Sequence, residues 1–440
     1  MSRPPIGAKI QTRDSRQVQV LQVLGSGRQG TVYRVSYDGQ EKALKWYHNG
    51  FFKNEEKQKL FYNNLCNNIA HGAPSPQFLW PQDVTERRSG SFGYIMDLRP
   101  DRFFDLSTLL VGRKAHFKSF QTRVDAMLQL VSAFRILHNQ GFSYQDLNDG
   151  NFFFDPNTGE ILICDNDNAA YQDYSTGIKG KPRYMAPEVV INQKRPDKTT
   201  DRFSMAVVLF LLLLQSHPLE GAASTPPCMT DTMERRFYGE EPIFVFDPKD
   251  PRNRPIRGIA DHSIDIWNAL PAYLRDAFCR SFSKEAMTFD PAGQSYGAPR
   301  LIEKEWLDVL ARFRNSIFRC AHCPNEVFVQ ALPAVCDNCG QTMPIVNQLR
   351  LAKYDMPMFP GVRLLRCQLG SCSDEQALEP VFEVEGAASA PGQYYLTNLT
   401  SEIWQCTTSK GIQRPLAPGE KMPVKAGIRA SLLHSGFEII

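Results

Sequence analysis

Phe142-Ser-Tyr-Gln-Asp146-Leu-Asn-Asp-Gly-Asn151 decides how this chain reads, taken together with Ile163-Cys-Asp165 downstream. Asn151 follows Asp146 by five residues, and Asp165 follows Asn151 by fourteen. Two oxygen ligands and one proton acceptor gathered in one cleft suit a divalent cation beside a reacting hydroxyl. An Asp/Asn-rich turn alone is an ordinary surface loop, since these side chains bond their own backbone. Its weight comes from what stands at set distances on either side.

Upstream, Val18-Gln-Val-Leu-Gln-Val-Leu24 alternates as a strand and runs into Gly25-Ser-Gly27-Arg-Gln-Gly30-Thr-Val32. A lone G-x-G-x-x-G can equally open a dinucleotide-binding helix. The β-branched residues after it favour a strand-turn-strand flap whose glycines let backbone N–H groups approach phosphates. Thirteen residues after Val32 comes Lys45, in Glu41-Lys-Ala43-Leu-Lys45-Trp-Tyr, a candidate for the α- and β-phosphates of a nucleotide. A helix over about 54–69 is expected to supply a carboxylate for Lys45. Glu55 and Glu56 lie only ten and eleven residues past it, a poor register, and counting back from His71-Gly-Ala-Pro points to Phe61 or Tyr62. The lysine–carboxylate pair is therefore absent or comes from a shifted helix. Phe92-Gly-Tyr-Ile-Met96-Asp97-Leu-Arg99 reads as a strand entering a connector; if this is a junction of two lobes, Met96 guards an adenine pocket and the backbone near Asp97 to Arg99 bonds the adenine edge, while core packing explains Met96 nearly as well.

Downstream, Phe120 to Asn139 carries a helical apolar stripe that delivers the chain into the opening stretch. Phe152-Phe-Phe154 and Ile161-Leu-Ile163 form a hairpin that ends at Asp165. Ala186-Pro187-Glu188 follows, then Asp201 at the head of a very apolar helix, placed to cap backbone N–H groups of the 142–151 loop. Arg300, six residues before Trp306, is the expected buried partner of Glu188.

Together these segments resemble the protein kinase family over roughly Gln17 to Phe313. The resemblance implies Asp146 as the catalytic base, Asn151 and Asp165 as Mg²⁺ (or Mn²⁺) ligands, and Lys45 with the glycine flap (Gly25, Gly27, Gly30, Val32) and Ala43 around ATP. More narrowly, Ala43-Leu-Lys-Trp-Tyr47, Pro74-Ser-Pro-Gln-Phe-Leu-Trp-Pro81, Tyr144-Gln-Asp146, Cys164-Asp-Asn-Asp-Asn168 and His217-Pro-Leu-Glu-Gly221 resemble bacterial Ser/Thr kinases encoded with a PP2C-type phosphatase and a TerY-like von Willebrand A protein. That implies a phosphorylation triad linked to tellurite resistance and stress. Departures from the family pattern bear on mechanism. Gln145 replaces the Arg that clamps an activation-loop phosphate, and Asn148 replaces the Lys that neutralises the γ-phosphate. Lys181 stands where it can restore that charge. Asn166 replaces the Phe after the metal-binding Asp, and Asp167 adds a second carboxylate near the metals. Base, metal ligands and phosphate lysine all remain, which favours an active kinase over a catalytically silent scaffold that binds nucleotide and assembles partners. Tyr171, Tyr174, Ser175 and Thr176 are candidate autophosphorylation sites.

Cys320-Ala-His-Cys323 and, twelve residues on, Cys336-Asp-Asn-Cys339 give C-x₂-C-x₁₂-C-x₂-C, the spacing of a closed Zn²⁺ site. The other seven of the 11 cysteines are scattered, which fits reduced thiols. Residues 349–440 alternate in short runs between Pro/Gly turns, suggesting a small β-sandwich. Tyr395-Leu-Thr-Asn398-Leu-Thr-Ser-Glu-Ile-Trp404 is similar to the later strands of forkhead-associated (FHA) domains, whereas the Gly-Arg and Ser-x-x-His parts of that motif are not evident. The expected fold is α+β: a bilobal protein-kinase fold (N-lobe 1–96, C-lobe 97–315), a zinc ribbon (316–346) and a small all-β, FHA-like interaction domain (349–440).

Composition sets the outer limits. Fifty Lys+Arg against 47 Asp+Glu leave a net charge of +3, which argues against nucleic acid or an anionic membrane as the main partner. The start, Met1-Ser-Arg-Pro-Pro, lacks an apolar signal core, and the run Met205 to Leu214 is too short to span a bilayer. A soluble, cytoplasmic protein is expected.

Overall fold

Alternation in the first hundred residues builds a six-stranded antiparallel sheet: β1 (Lys9–Gln11), β2 (Gln17–Ser26), β3 (Gly30–Tyr37), β4 (Gln40–Tyr47), β5 (Asp83–Val84) and β6 (Gly93–Met96), in the order β1-β2-β3-β4-β6-β5. The computed structural model describes residues 3–87, 91–112, 115–171, 180–226, 228–288, 300–370, 372–387, 392–432 and 435–440. On β4 the period of two sends Leu44 and Trp46 to one face, against Val18, Val20, Tyr33 and Val35. Ala43 and Tyr47 go to the other, where they pack with Phe61 and Leu65 of helix α1 (Glu55–His71). Lys45, two residues from each, shares that face. Asn54 caps α1, its side chain accepting from Lys57 N at 2.8 Å.

The chain from 106 to 314 is mainly helical and holds the largest apolar core. At its centre the helix Lys198–Leu214 buries an unbroken run from Met205 to Leu214. The ten consecutive apolar residues are accounted for by packing: the helix is covered on all sides by its neighbours, Phe120–Asn139 among them. No helix of the described residues is long and apolar enough to cross a bilayer.

Glu188 and Arg300 meet as a two-pronged pair, Nη1 to Oε1 and Nη2 to Oε2, each at 2.9 Å, with both side chains enclosed. The remaining guanidinium N–H groups go to the carbonyls of Thr199 and Ala286. Removing one partner strands a buried charge. Glu188→Ala is expected to cost about 3–5 kcal/mol of unfolding free energy, read by urea titration. The Glu188→Ala/Arg300→Ala double variant should lose less than the two single losses added together.

The last quarter of the chain forms two antiparallel sheets. One has six strands, running Asp355–Pro357, Gln348–Arg350, Ser435–Ile439, Arg429–Leu432, Trp404–Thr407 and Gln413–Leu416 in spatial order. The other has four: Arg363–Leu365, Pro380–Gly386, Tyr394–Asn398 and Lys421–Pro423. They face each other through Phe382, whose ring lies 5.3 Å from that of Phe437 and 6.4 Å from that of Trp404. The cysteine-bearing segment does not stand apart from these sheets. Phe318, Val327, Val329, Cys336 and Met343 belong to the same apolar core as Leu349, Phe382 and Trp404. The separate unit read at 316–346 thus shares its interior with the two sheets.

This double unit is fastened to the helical part. Arg314 Nε reaches Asp125 at 2.5 Å, Arg135 pairs with Asp374 at 2.7 Å, and Asn315 exchanges two hydrogen bonds with the backbone of Arg363. Phe328 packs against Phe120 and Phe313, with ring centroids 4.9 and 5.3 Å away.

Candidate active site

The 142–151 loop is held from below by Asp201, in the first turn of the central helix. Its carboxylate accepts from the backbone N–H of Tyr144 at 2.6 Å and of Gln145 at 2.9 Å. Those bonds secure Gln145 at φ +72°, a conformation that costs free energy for a residue with a side chain. Beneath Asp201 lies His138, 3.2 Å from Asp201 and 2.8 Å from Glu303. Burial alone would lower the His138 pKa, but the two carboxylates outweigh it and raise it. Glu303 shows the reverse balance: burial pushes upward, yet hydrogen bonds from His138 and Arg202 hold it down at about 2. The loop therefore stands on a buried ionic stack, the tertiary counterpart of the capping role expected of Asp201.

Within the loop the side chains brace one another. Asn151 Nδ2 donates to the carbonyl of Asp146 at 2.9 Å, and Asn148 Nδ2 donates to Asp146 Oδ1 at 3.0 Å. Asn151 also accepts the Cys164 N–H on its carbonyl at 2.8 Å, which sets Asp165 beside it. Asp165 itself takes φ +53°. Burial, and then the charge of Asp165, pushes the Asp146 carboxyl up to about 7, against the hydrogen bond from Asn148. Burial likewise raises Asp165, with Lys45 opposing and Asp167 adding to the shift. Three carboxylates in one enclosed place repel one another, and a cation relieves that repulsion.

Lys45 reaches into the same place. Its Nζ lies 3.3 Å from Asp165 Oδ2, 2.9 Å from Asp167 Oδ2 and 2.9 Å from Gln29 Oε1 of the glycine flap. Burial works against the ammonium, but Asp165 and Asp167 more than compensate and raise its pKa.

Of the three flap glycines, Gly25 and Gly27 face open space, so a Cβ there would meet nothing within 4 Å. Gly30 differs: a Cβ would sit 2.3 Å from the Trp46 carbonyl, so this glycine is needed to pair β3 with β4. Val32 stands opposite Lys45 and Ala43 opposite Met96 in the sheet, which lines one face of the cleft. Asp97 turns its carboxylate to Lys42 and to Gln82 Nε2, and Arg99 turns to the Phe103 carbonyl and the Phe153 ring.

Several expectations change. Glu55 is 84% exposed in its side chain and bridges loosely to Arg87 at 3.6 Å, and Glu56 is exposed, so neither meets Lys45. Phe61 occupies that face of α1, its ring 5.4 Å from that of Tyr47. Asn64 and Asn68 instead donate to the Ala169 carbonyl at 3.0 and 2.8 Å, ties that no spacing rule announces. Asn166, in the place of the expected Phe, is fully buried and donates to the carbonyls of Leu79 and Ile163. Lys181 is paired with Asp149 at 2.5 Å, and its Nζ lies beside Gly150. Tyr171 is packed against His71 and Phe142, not displayed on a loop. Tyr174, Ser175 and Thr176 lie outside the described residues.

A second cluster belongs to the core of the C-terminal sheets. Cys320, Cys323, Cys336 and Cys339 place their sulfurs within 4.8 Å of one another, with Cys320–Cys339 and Cys323–Cys336 at 3.7 Å. A tetrahedron of thiolates about 2.3 Å from Zn²⁺ has edges of about 3.8 Å. The donor set fits zinc.

A strand-built lobe with a glycine flap and a buried lysine, joined to a helical lobe that presents Asp, Asn and Asp on one loop system, defines the class of phosphotransferases that work on a nucleotide in a cleft. Residues 18–291, more than half of the chain, match the protein kinase domain model. The chain belongs to that family. It is similar to serine/threonine-protein kinase dkf-2 of Caenorhabditis briggsae (27% identical over 277 residues, 60% of this chain and 21% of that protein). It is also similar to serine/threonine-protein kinase oca2 of Schizosaccharomyces pombe (21% over 341 residues, 69% and 50%). A third relative is serine/threonine-protein kinase SAPK3 of rice (25% over 169 residues, 37% and 42%). The chain thus spans half or less of the length of these relatives.

Proposed function

We propose that this chain is a protein kinase that moves the γ-phosphate of ATP to Ser/Thr hydroxyls of a protein partner. The observation that carries this reading is the meeting of Asp146, Asn151 and Asp165 with Lys45, which comes from the strand-built part of the chain, in one cleft. Asp165 and Asn151 offer the hard oxygen donors that suit Mg²⁺ or Mn²⁺. When bound, the metal nucleotide supplies the transferable phosphoryl group together with positive charge. Asp146 orients the acceptor hydroxyl and takes its proton. Lys45, with the backbone around Gly25 and Gly27, places the phosphates. Lys181 is the side chain that can supply the charge Asn148 does not carry, and to do so it must exchange its pair with Asp149 for a phosphate.

Gly180 packs directly against the Asp146 carboxylate, because a Cβ there would lie 2.8 Å from Asp146 Oδ1. The four cysteines are read as a zinc ribbon, and the two sheets after them as an FHA-like protein-interaction module. The narrower resemblance supports a PP2C-type phosphatase and a von Willebrand A protein as partners in a stress-linked triad. The test is to incubate the purified chain with ATP and Mg²⁺ or Mn²⁺ and map phosphosites by mass spectrometry. Phosphoserine or phosphothreonine is expected. Nucleotide binding with no phosphate transferred in either metal would instead identify the scaffold.

A further inference from the structure

In the protein-kinase pattern the phosphate lysine is steadied by a carboxylate on the first helix. Here α1 turns Gln58, Phe61, Asn64, Leu65 and Asn68 inward, and not one of these is acidic. The lysine is nonetheless not left alone. Asp167, with no exposed surface, accepts on Oδ2 from Lys45 Nζ at 2.9 Å and from the Tyr47 hydroxyl. We infer that Asp167 is the positioning residue for Lys45, replacing a helix-borne carboxylate, so that the lysine is aligned by the metal-binding segment itself and not by movement of α1. The inference rests on the phosphotransferase reading and specifies how that site is assembled.

The geometry supports this in three ways. First, Asp167 lies two residues past Asp165 on a short turn, Asn166–Asn168, which is pinned by the Asn166 amide to the carbonyls of Leu79 and Ile163. The tether is as rigid as the segment that carries it. Second, Tyr47 is two residues past Lys45 on the same strand face, so both donors to Asp167 are set by one strand register. Third, α1 is joined to this segment through neutral amide bonds from Asn64 and Asn68 to the Ala169 carbonyl. The charge that matters to Lys45 is not on the helix. Asp167 also has a consequence for Asp165. An ammonium on a flexible stem, with no second carboxylate to share it, would close on Asp165 and compete for the oxygens a cation uses.

The near-isosteric Asp167→Asn variant of the full chain tests this. Affinity for Mg²⁺–ADP, measured by calorimetry without turnover, and kcat/KM for ATP should each fall about 10- to 100-fold, the range for losing one charge-assisted hydrogen bond. The KM for the protein acceptor should not change. Tyr47→Phe, which removes the second donor to Asp167 while keeping the ring, should shift the same two quantities in the same direction by a smaller factor. It serves in place of Asp167→Asn should that variant fold poorly. Glu55→Ala/Glu56→Ala should match the parent chain. Three results would each overturn the inference: nucleotide affinity unchanged in both Asp167→Asn and Tyr47→Phe, an equal loss in the Glu55/Glu56 variant, or full recovery of Asp167→Asn at high Mg²⁺, which would make Asp167 a cation ligand. A parent chain that binds nucleotide but transfers nothing refutes the catalytic reading alone, and the calorimetric comparison still decides the role of Asp167.

Discussion

Asp146→Asn is expected to lower phosphate transfer by about 10²- to 10⁴-fold, the usual worth of a positioned general base, while leaving the chain folded. The substitution preserves shape and removes only the ability to take a proton. It should also stabilise the metal-free protein. The folded-state pKa of Asp146 is raised to about 7, mainly by burial and by Asp165, so the folded chain holds a proton that the unfolded chain releases near its ordinary value. Stability from this group is therefore lost as pH rises from about 4 through 7. Asn does not titrate. In metal-free buffer the Tm of Asp146→Asn relative to the parent should climb between pH 5 and pH 8. Turnover equal to the parent would remove Asp146 as the base. A Tm that drops in step with activity would assign the loss to folding.

Cys336→Ser, or removal of metal by a strong chelator, is expected to unfold more than the cysteine-bearing segment. Structural zinc supplies roughly 10–16 kcal/mol of apparent binding free energy to small units of this kind. The segment shares its interior with the two sheets: Cys336 packs in the same core as Phe382 and Trp404. Its loss should expose amides across 317–346 and the strands of 348–440 to hydrogen exchange. The helices Phe120–Asn139 and Lys198–Leu214, which have a separate core, should stay protected. Elemental analysis should find one zinc per chain. A metal-free parent with unchanged exchange on Cys336→Ser would show that the cluster is held by packing alone. The double unit is clamped to the lobe carrying the 142–151 loop through Arg314–Asp125 and Arg135–Asp374.

Much of the site was legible because its signals are local or rigidly spaced. The loop from Asp146 to Asn151, the hairpin leading to Asp165, the flap before Val32 and the two C-x₂-C turns are each dictated by a few neighbouring residues and by strand or turn geometry. The joining of Glu188 to Arg300 was also readable, through the family resemblance of Ala186-Pro187-Glu188 and of an Arg six residues before Trp306. The helix carboxylate was the weak point. Register alone already disfavoured Glu55 and Glu56, but it offered nothing in their place.

What the amino-acid order determined by itself was therefore the parts: the strand faces, the loop that gathers oxygen donors, the four thiols and the lobe order. What only the tertiary structure decided was the partners. Lys45 finds Asp167, 122 residues away, Lys181 finds Asp149, and the cysteine segment pools its core with the two C-terminal sheets. The physical reason is that spacing and periodicity act over a few residues, whereas the choice among several available carboxylates or apolar faces is made by burial. Desolvation penalises every unpaired charge and rewards whichever neighbour the packed chain brings within reach.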